Sequence, residues 1–131
     1  MKWKNLLIGL ILSLTFVAPA MAVDKVIEFT WQHADPVAQD VVKFTIYMSS
    51  ETGANYIPLF DIPFVAVEGT YTAEGTITVP DNQETTRYFV ATAVDGQGNE
   101  SSYSNEVNVT IDNVPPDTPI TFKAVVKVVT Q

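Results

Sequence analysis

Thr86-Arg87-Tyr88-Phe89-Val90-Ala91-Thr92-Ala93-Val94-Asp95-Gly96-Gln97-Gly98-Asn99-Glu100-Ser101-Ser102-Tyr103-Ser104-Asn105-Glu106-Val107 decides the fold. Its first half alternates, with Phe89, Ala91 and Ala93 falling on one face. An extended chain turns successive side chains to opposite faces, so this is the pattern of a half-buried strand. Asp95-Gly96-Gln97-Gly98-Asn99 follows, and Gly and Asx residues supply the backbone angles and local bonds of a tight turn. Alternation resumes at Glu106 and runs to Ile111, aligning Val107, Val109 and Ile111. Two strands on either side of a short turn imply an antiparallel pair.

The same period runs outward along the chain. Val26 to Trp31 puts Ile27, Phe29 and Trp31 on one face, and Val42 to Met48 puts Phe44, Ile46 and Met48 on one face. Thr76 to Val79 aligns Ile77 and Val79. Tyr56-Ile57-Pro58-Leu59-Phe60 reads as an edge strand, because Pro58 lacks a ladder donor. Phe64-Val65-Ala66-Val67, just after Pro63, reads as a connecting loop. Ala34-Asp35-Pro36, Ser49 to Asn55 and Asp81 to Glu84 carry the turn residues between strands. Residues 23–131 contain no ten-residue stretch of helical period. The pattern predicts an all-β, antiparallel sandwich of about seven strands. Its expected core is Phe29, Trp31, Phe44, Ile46, Phe89, Ala91 and Val107.

Residues 26–111 resemble a fibronectin type III domain of the bacterial or phage kind, and the quoted segment carries the likeness most specifically. An aromatic-rich strand ends in Ala93-Val94-Asp95, a Gly98-Asn99-Glu100-Ser101 turn follows, and then Ser104-Asn105-Glu106-Val107. Trp31 looks like the strand-B tryptophan of that family, and Phe44-Thr45-Ile46-Tyr47 like its strand-C motif. The family usually starts strand F with a tyrosine, where Arg87 stands here with Tyr88 after it. The resemblance implies an immunoglobulin-like sandwich and a module that binds without chemistry.

The first residues have another character. Lys2 and Lys4 precede an apolar run from Leu6 to Val17, and Ala20 and Ala22 are the small residues of an A-x-A cleavage site. This is the layout of a secretory signal peptide, and the run is shorter than the ~20 residues that span a bilayer. Cleavage after Ala22 is expected, with Val23 the first mature residue, in the periplasm or outside the cell. The mature chain keeps five basic residues (Lys25, Lys43, Arg87, Lys123, Lys127) against fifteen acidic ones, a net charge of -10. Phosphate recognition needs clustered cations, so nucleic acid is not an expected partner. No second apolar run follows, so no membrane span is expected after cleavage. With no cysteine there are no disulfides, and an exported domain of this size must hold by packing alone.

Sites for chemistry are few. His33 is the one histidine, and no nucleophile is evident beside it in sequence, which suits a loop residue better than a general base. The carboxylates are scattered, and a small sandwich offers no cleft to raise one pKa, so no enzymatic activity is expected. Asp95, Gln97, Asn99 and Glu100 crowd one turn and carry oxygens of the kind that bind Ca²⁺, but they read as a turn closed by its own Asx bonds. Neither metal nor cofactor is implied. Tyr47, Tyr56, Tyr71 and Tyr103 are candidates for stacking on a sugar or anchoring a protein, or for half-buried packing.

Residues 23–112 therefore form the domain. Asn113 to Pro119, with prolines at 115, 116 and 119, is a stiffened linker. Residues 120–131 read as one β-strand with Ile120, Phe122, Val126 and Val128 on its apolar side, and Lys123 and Lys127 as its only charges. So apolar a strand needs a partner. It is expected either to fold back on the edge of its own domain or to add to a sheet edge of another protein. Three functions fit: a protein-binding or adhesion module, an assembly subunit whose last strand pairs with a partner or neighbouring copy, or a carbohydrate-binding accessory module. The sequence names no particular protein or glycan partner.

Overall fold

The computed structural model describes residues 21–129. Residues 1–20, most of the segment expected to be a cleaved leader, together with Thr130 and Gln131, lie outside the described residues. Six strands form: β1 (Ala22–Trp31), β2 (Val41–Ser49), β3 (Ile57–Pro63), β4 (Tyr71–Pro80), β5 (Glu84–Asp95) and β6 (Val107–Asp112). There is no helix among the described residues. β1 and β4 make one antiparallel sheet, and β3-β2-β5-β6, in that order, make the other. Their inner faces meet in one core of Phe29, Ile77 and Val79 from the first sheet and Ile46, Phe89 and Ile111 from the second. Phe29 and Phe89 meet edge to face at 5.0 Å across the gap between the sheets. Val41, Phe44 and Tyr71 form a second cluster, with Trp31 stacked on Tyr71.

The expected all-β, sandwich-like architecture is present, with six strands among the described residues where about seven were expected. Phe64 to Thr70 runs as a loop: Pro63 ends the β3 ladder, and Val65 and Val67 point to solvent. β3 holds Pro58 and Pro63 and lies at the sheet edge, where a missing N–H is tolerated. β4 begins five residues before the expected Thr76. Ala73-Glu74-Gly75 has little strand propensity, and pairing with β1 from Tyr71↔Trp31 onward holds it extended. β1 reaches back to Ala22, which pairs with Pro80. Cleavage after Ala22 would leave the pairs from Val23↔Val79 to Trp31↔Tyr71 intact.

The two flanks of the sandwich differ. On the β3/β4 flank, Leu59, Phe60 and Ile62 pack onto the core. Phe60 lies so close to Gly75 that only glycine fits there. On the opposite flank, no described strand lies beside the outer edges of β1 and β6.

The residues expected in the core divide accordingly. Phe29, Phe44, Ile46 and Phe89 are buried, and Trp31 and Ala91 pack against the core while partly exposed. Val107 is a correction. It shares the parity of Val109 and Ile111, yet it is 47% exposed, because nothing closes the sandwich over the start of β6. Tyr71, a surface candidate in the sequence, is buried under Trp31 and Phe44.

Residues 120–129 are the second correction. No strand forms there in the single chain, and Ile120, Phe122, Val126 and Val128 are 86%, 88%, 92% and 81% exposed. An extended segment acquires a ladder only from a neighbour, and the chain does not fold this one onto its own edge.

Candidate functional site

The open flank forms a groove of about 430 Å³. At ~30 Å³ per water, this is room for side chains rather than a few solvent molecules. One wall is the Ile27–Gln32 part of β1, the floor includes Ile46 and Phe89, and the other wall is Ser104 to Val109. Alternation along β1 turns Ile27, Phe29 and Trp31 inward and leaves Glu28 and Thr30 on the outer face. The β1 edge along the groove carries backbone donors and acceptors that β4 does not use, which is what a sheet edge offers an incoming strand. Trp31 also has a buried indole N–H without a hydrogen-bond partner among the described residues. The wall opposite is held by two serines. Ser104 N–H donates to the Ala91 carbonyl and Ser104 Oγ accepts from the Ala91 N–H, each at 2.8–2.9 Å. Ser101 repeats this at Ala93. The Ser101-Ser102-Tyr103-Ser104 stretch thus imitates a strand and positions Asn105 to Val109.

A second cluster covers the outer face of the larger sheet. Tyr103 packs edge-on against Tyr47 at 5.2 Å and Tyr56 at 5.1 Å. Glu100 accepts hydrogen bonds from the Thr92 hydroxyl and the Tyr47 hydroxyl, and both hold its pKa below the usual carboxylate range. In return the bond to Glu100 pushes the Tyr47 phenol up to about 12. Glu106 accepts from Tyr56, Gly53 N–H and Thr52, tying the 50–55 loop to the chain before β6. These donors, Tyr56 foremost, hold the Glu106 pKa below its ordinary value, and the bond to Glu106 in turn raises that of Tyr56. Lys43, foremost, and Thr45 do the same for Asp61, with Lys43 Nζ 2.6 Å away. Every lowered carboxylate here is engaged by its own chain, which suits structural anchors rather than acids or bases.

The Asp95 turn closes on itself. Asp95 Oδ1 accepts from the Gln97 and Asn99 N–H groups and Oδ2 from the Asn99 amide, which lowers the Asp95 pKa. His33 lies against Phe44 at 5.8 Å, half-buried, and its Nδ1 has no partner among the described residues. Ala22, one of the two cleavage-site residues, starts β1, while Ala20 lies outside the described residues. The tail residues Ile120, Phe122, Val126 and Val128 lie beyond the linker and touch neither cluster of the core.

The groove was not evident from the sequence. Its signal, an apolar residue of core parity at the start of β6, is visible in Val107 only once the missing neighbour is known. Compared with known protein families, curated proteins and solved structures, the chain finds no match.

Proposed function

We propose that this chain is an exported, non-catalytic binding module of the fibronectin type III kind, acting at or outside the cell surface. It works by taking an extended polypeptide segment into the groove between β1 and β6. The observation that carries this reading is Val107, a residue of core parity left half-exposed beside an unpaired edge. A segment that pairs with β1 supplies ladder bonds through its backbone and covers Val107 and Phe29 with alternate side chains. The basic start, apolar run and small residues before Val23 support export, and the Phe89–Val107 segment supports the family. The binding of carboxylates by hydroxyls and amides of the same chain supports the absence of chemistry.

Mature protein immobilised and exposed to envelope and medium fractions of its host tests this. Retention of a partner should be lost with Val107→Asp and survive Tyr103→Ala. Val107 is exposed enough for the charge to be accommodated, and a melting curve checks the fold. Retention that ignores Val107→Asp and fails with Tyr103→Ala would move the site to the tyrosine face and favour a glycan ligand. Hydrolysis of a glycan by the mature protein, abolished by one carboxylate change, would refute the non-catalytic reading.

A further inference from the structure

We infer that the groove is filled by residues Ile120–Val128 of a second copy of this chain, lying antiparallel to Val23–Trp31 of β1. The inference deepens the strand-receiving reading above and rests on it, and on removal of the leader.

The tail has the composition the site lacks. Ile120, Phe122, Ala124, Val126 and Val128 form one uninterrupted apolar face, and Lys123 and Lys127 stand on the other. Two of the five basic residues of the mature chain therefore lie in this segment, which holds no acidic residue. The outer face of the β1/β4 sheet is its opposite: it exposes Asp24, Glu28 and Glu74 and no basic residue. Asp24 and Glu28 are four residues apart on one face of β1, as are Lys123 and Lys127 on the tail. In the register that sets Ile120 opposite Trp31, Lys123 faces Glu28 and Lys127 faces Asp24. Phe122 then meets Phe29, Ala124 meets Ile27, Val126 lies against the aliphatic stem of Lys25, and Val128 meets Val23. The largest apolar side chains enter the groove at its Phe29–Trp31 part, and charges meet opposite charges outside. The parallel register also pairs the charges, but it carries Phe122 to Val23, away from the groove lining. Thr121 stands at φ 52, a left-handed value that a β-branched residue adopts at a cost, and strand pairing returns it to extended backbone.

Reach decides between one copy and two. Asn113 is anchored at the Ala22 end of β1, its side-chain amide donating to the Pro80 carbonyl at 3.0 Å. From Asn113 to Ile120, seven fully extended steps of about 3.6 Å cover about 25 Å. Along β1 from Ala22 to Trp31, nine steps of about 3.3 Å cover about 30 Å. The tail of the same chain cannot place Ile120 opposite Trp31, so the antiparallel register requires a neighbour. Each copy would donate a tail and receive one. Exchanged reciprocally between two copies, such contacts close a two-fold dimer; passed head to tail, they build rings or open chains.

The absence of cysteine makes the test clean. In the mature, full-length chain, Thr30→Cys combined with Thr121→Cys places the two thiols opposite each other across adjacent strands, where the Cα separation suits a disulfide. Mild oxidation should give concentration-dependent covalent dimers or higher multimers. Adding Phe122→Asp should cut their yield about tenfold or more. Phe122 is solvent-exposed in the single chain, so this change leaves the domain folded, as an unaltered melting curve would verify. The pair Thr30→Cys with Val129→Cys reports the parallel register. If that pair closes within single chains and the first pair does not cross-link, the tail occupies its own domain and the inference is overturned. It is overturned equally if neither pair cross-links and the unmodified chain stays monomeric in sedimentation. Should a host partner then still be lost with Val107→Asp, the groove reading survives and only the choice of occupant fails.

Discussion

Gly75→Ala should destabilise the domain, although replacing a strand glycine usually helps. Alanine in place of glycine is worth about 0.5–1 kcal/mol in a strand interior, because the unfolded chain loses less freedom on folding. At this position the new Cβ would lie 2.2 Å from Phe60 Cε1, 2.7 Å from Cζ and 3.1 Å from Cδ1. Carbon atoms prefer about 3.5–4.0 Å, so the ring must retreat by more than an ångström. Phe60 packs at 5.9 Å from Phe29, and its retreat would open that contact and the β3/β4 flank with it. Overpacking of this kind costs about 1–3 kcal/mol, which outweighs the entropic gain. The net loss should be about 1 kcal/mol, or a melting temperature lower by about 4–8 °C for a domain near this size. Urea unfolding of Gly75→Ala, Phe60→Leu and the double variant measures it, and leucine leaves room for the added methyl. In the Phe60→Leu background Gly75→Ala should become neutral or stabilising, giving a coupling of about 1–2 kcal/mol. A rise in stability on Gly75→Ala alone, or additivity in the cycle, would refute the closed-flank packing.

Phe89→Ala, at the centre of the core and 1% exposed, should cost about 3–5 kcal/mol by chemical denaturation, enough to unfold a domain of ordinary stability. Spectrophotometric titration should show the Tyr47 phenol ionising near pH 12, and Glu100→Gln should return it toward its ordinary value of 10.0. Because the folded value is raised, the contribution of Tyr47 is complete below pH 10.0 and lost as pH climbs through 12. Asp61, Asp95, Glu100 and Glu106 have lowered values, so their contribution is present above their ordinary pKa of 3.8 or 4.5 and lost as pH falls through the folded values. Urea midpoints measured between pH 3 and 6 should show Glu106→Gln flattening part of this fall, and an unchanged slope would place Glu106 outside the network.

What could be read from the sequence was whatever depends on a strand and its immediate neighbours. Alternation located β2, β5 and β6 to within three residues of their ends, and the prolines located β3 at an edge. The start of β4 escaped because Gly75 is there for the sake of Phe60, a contact between sheets that no local pattern carries. Val107 was misplaced for a related reason: parity tells which way a side chain points, not whether another element covers it. Of the four tyrosines the sequence offered singly, Tyr47, Tyr56 and Tyr103 share the outer face and Tyr71 lies in the core. The organisation of that outer face comes from Glu100 and Glu106, which the chain brings back 53 and 50 residues from Tyr47 and Tyr56. The apolar face and lysine spacing of the tail were legible at once. Their counterpart, the Asp24 and Glu28 spacing on an open edge, required the sheet to be drawn first.

Backbone hydrogen exchange of β1 in the chain beginning at Val23, compared at low and high protein concentration and with Phe122→Asp, bears most directly on strand exchange between copies. Amides of Val23 to Trp31 that point away from β4 should exchange slowly at high concentration, and fast on dilution or in the variant. Equal exchange under all three conditions would mean that no tail of a neighbouring copy ever occupies that edge.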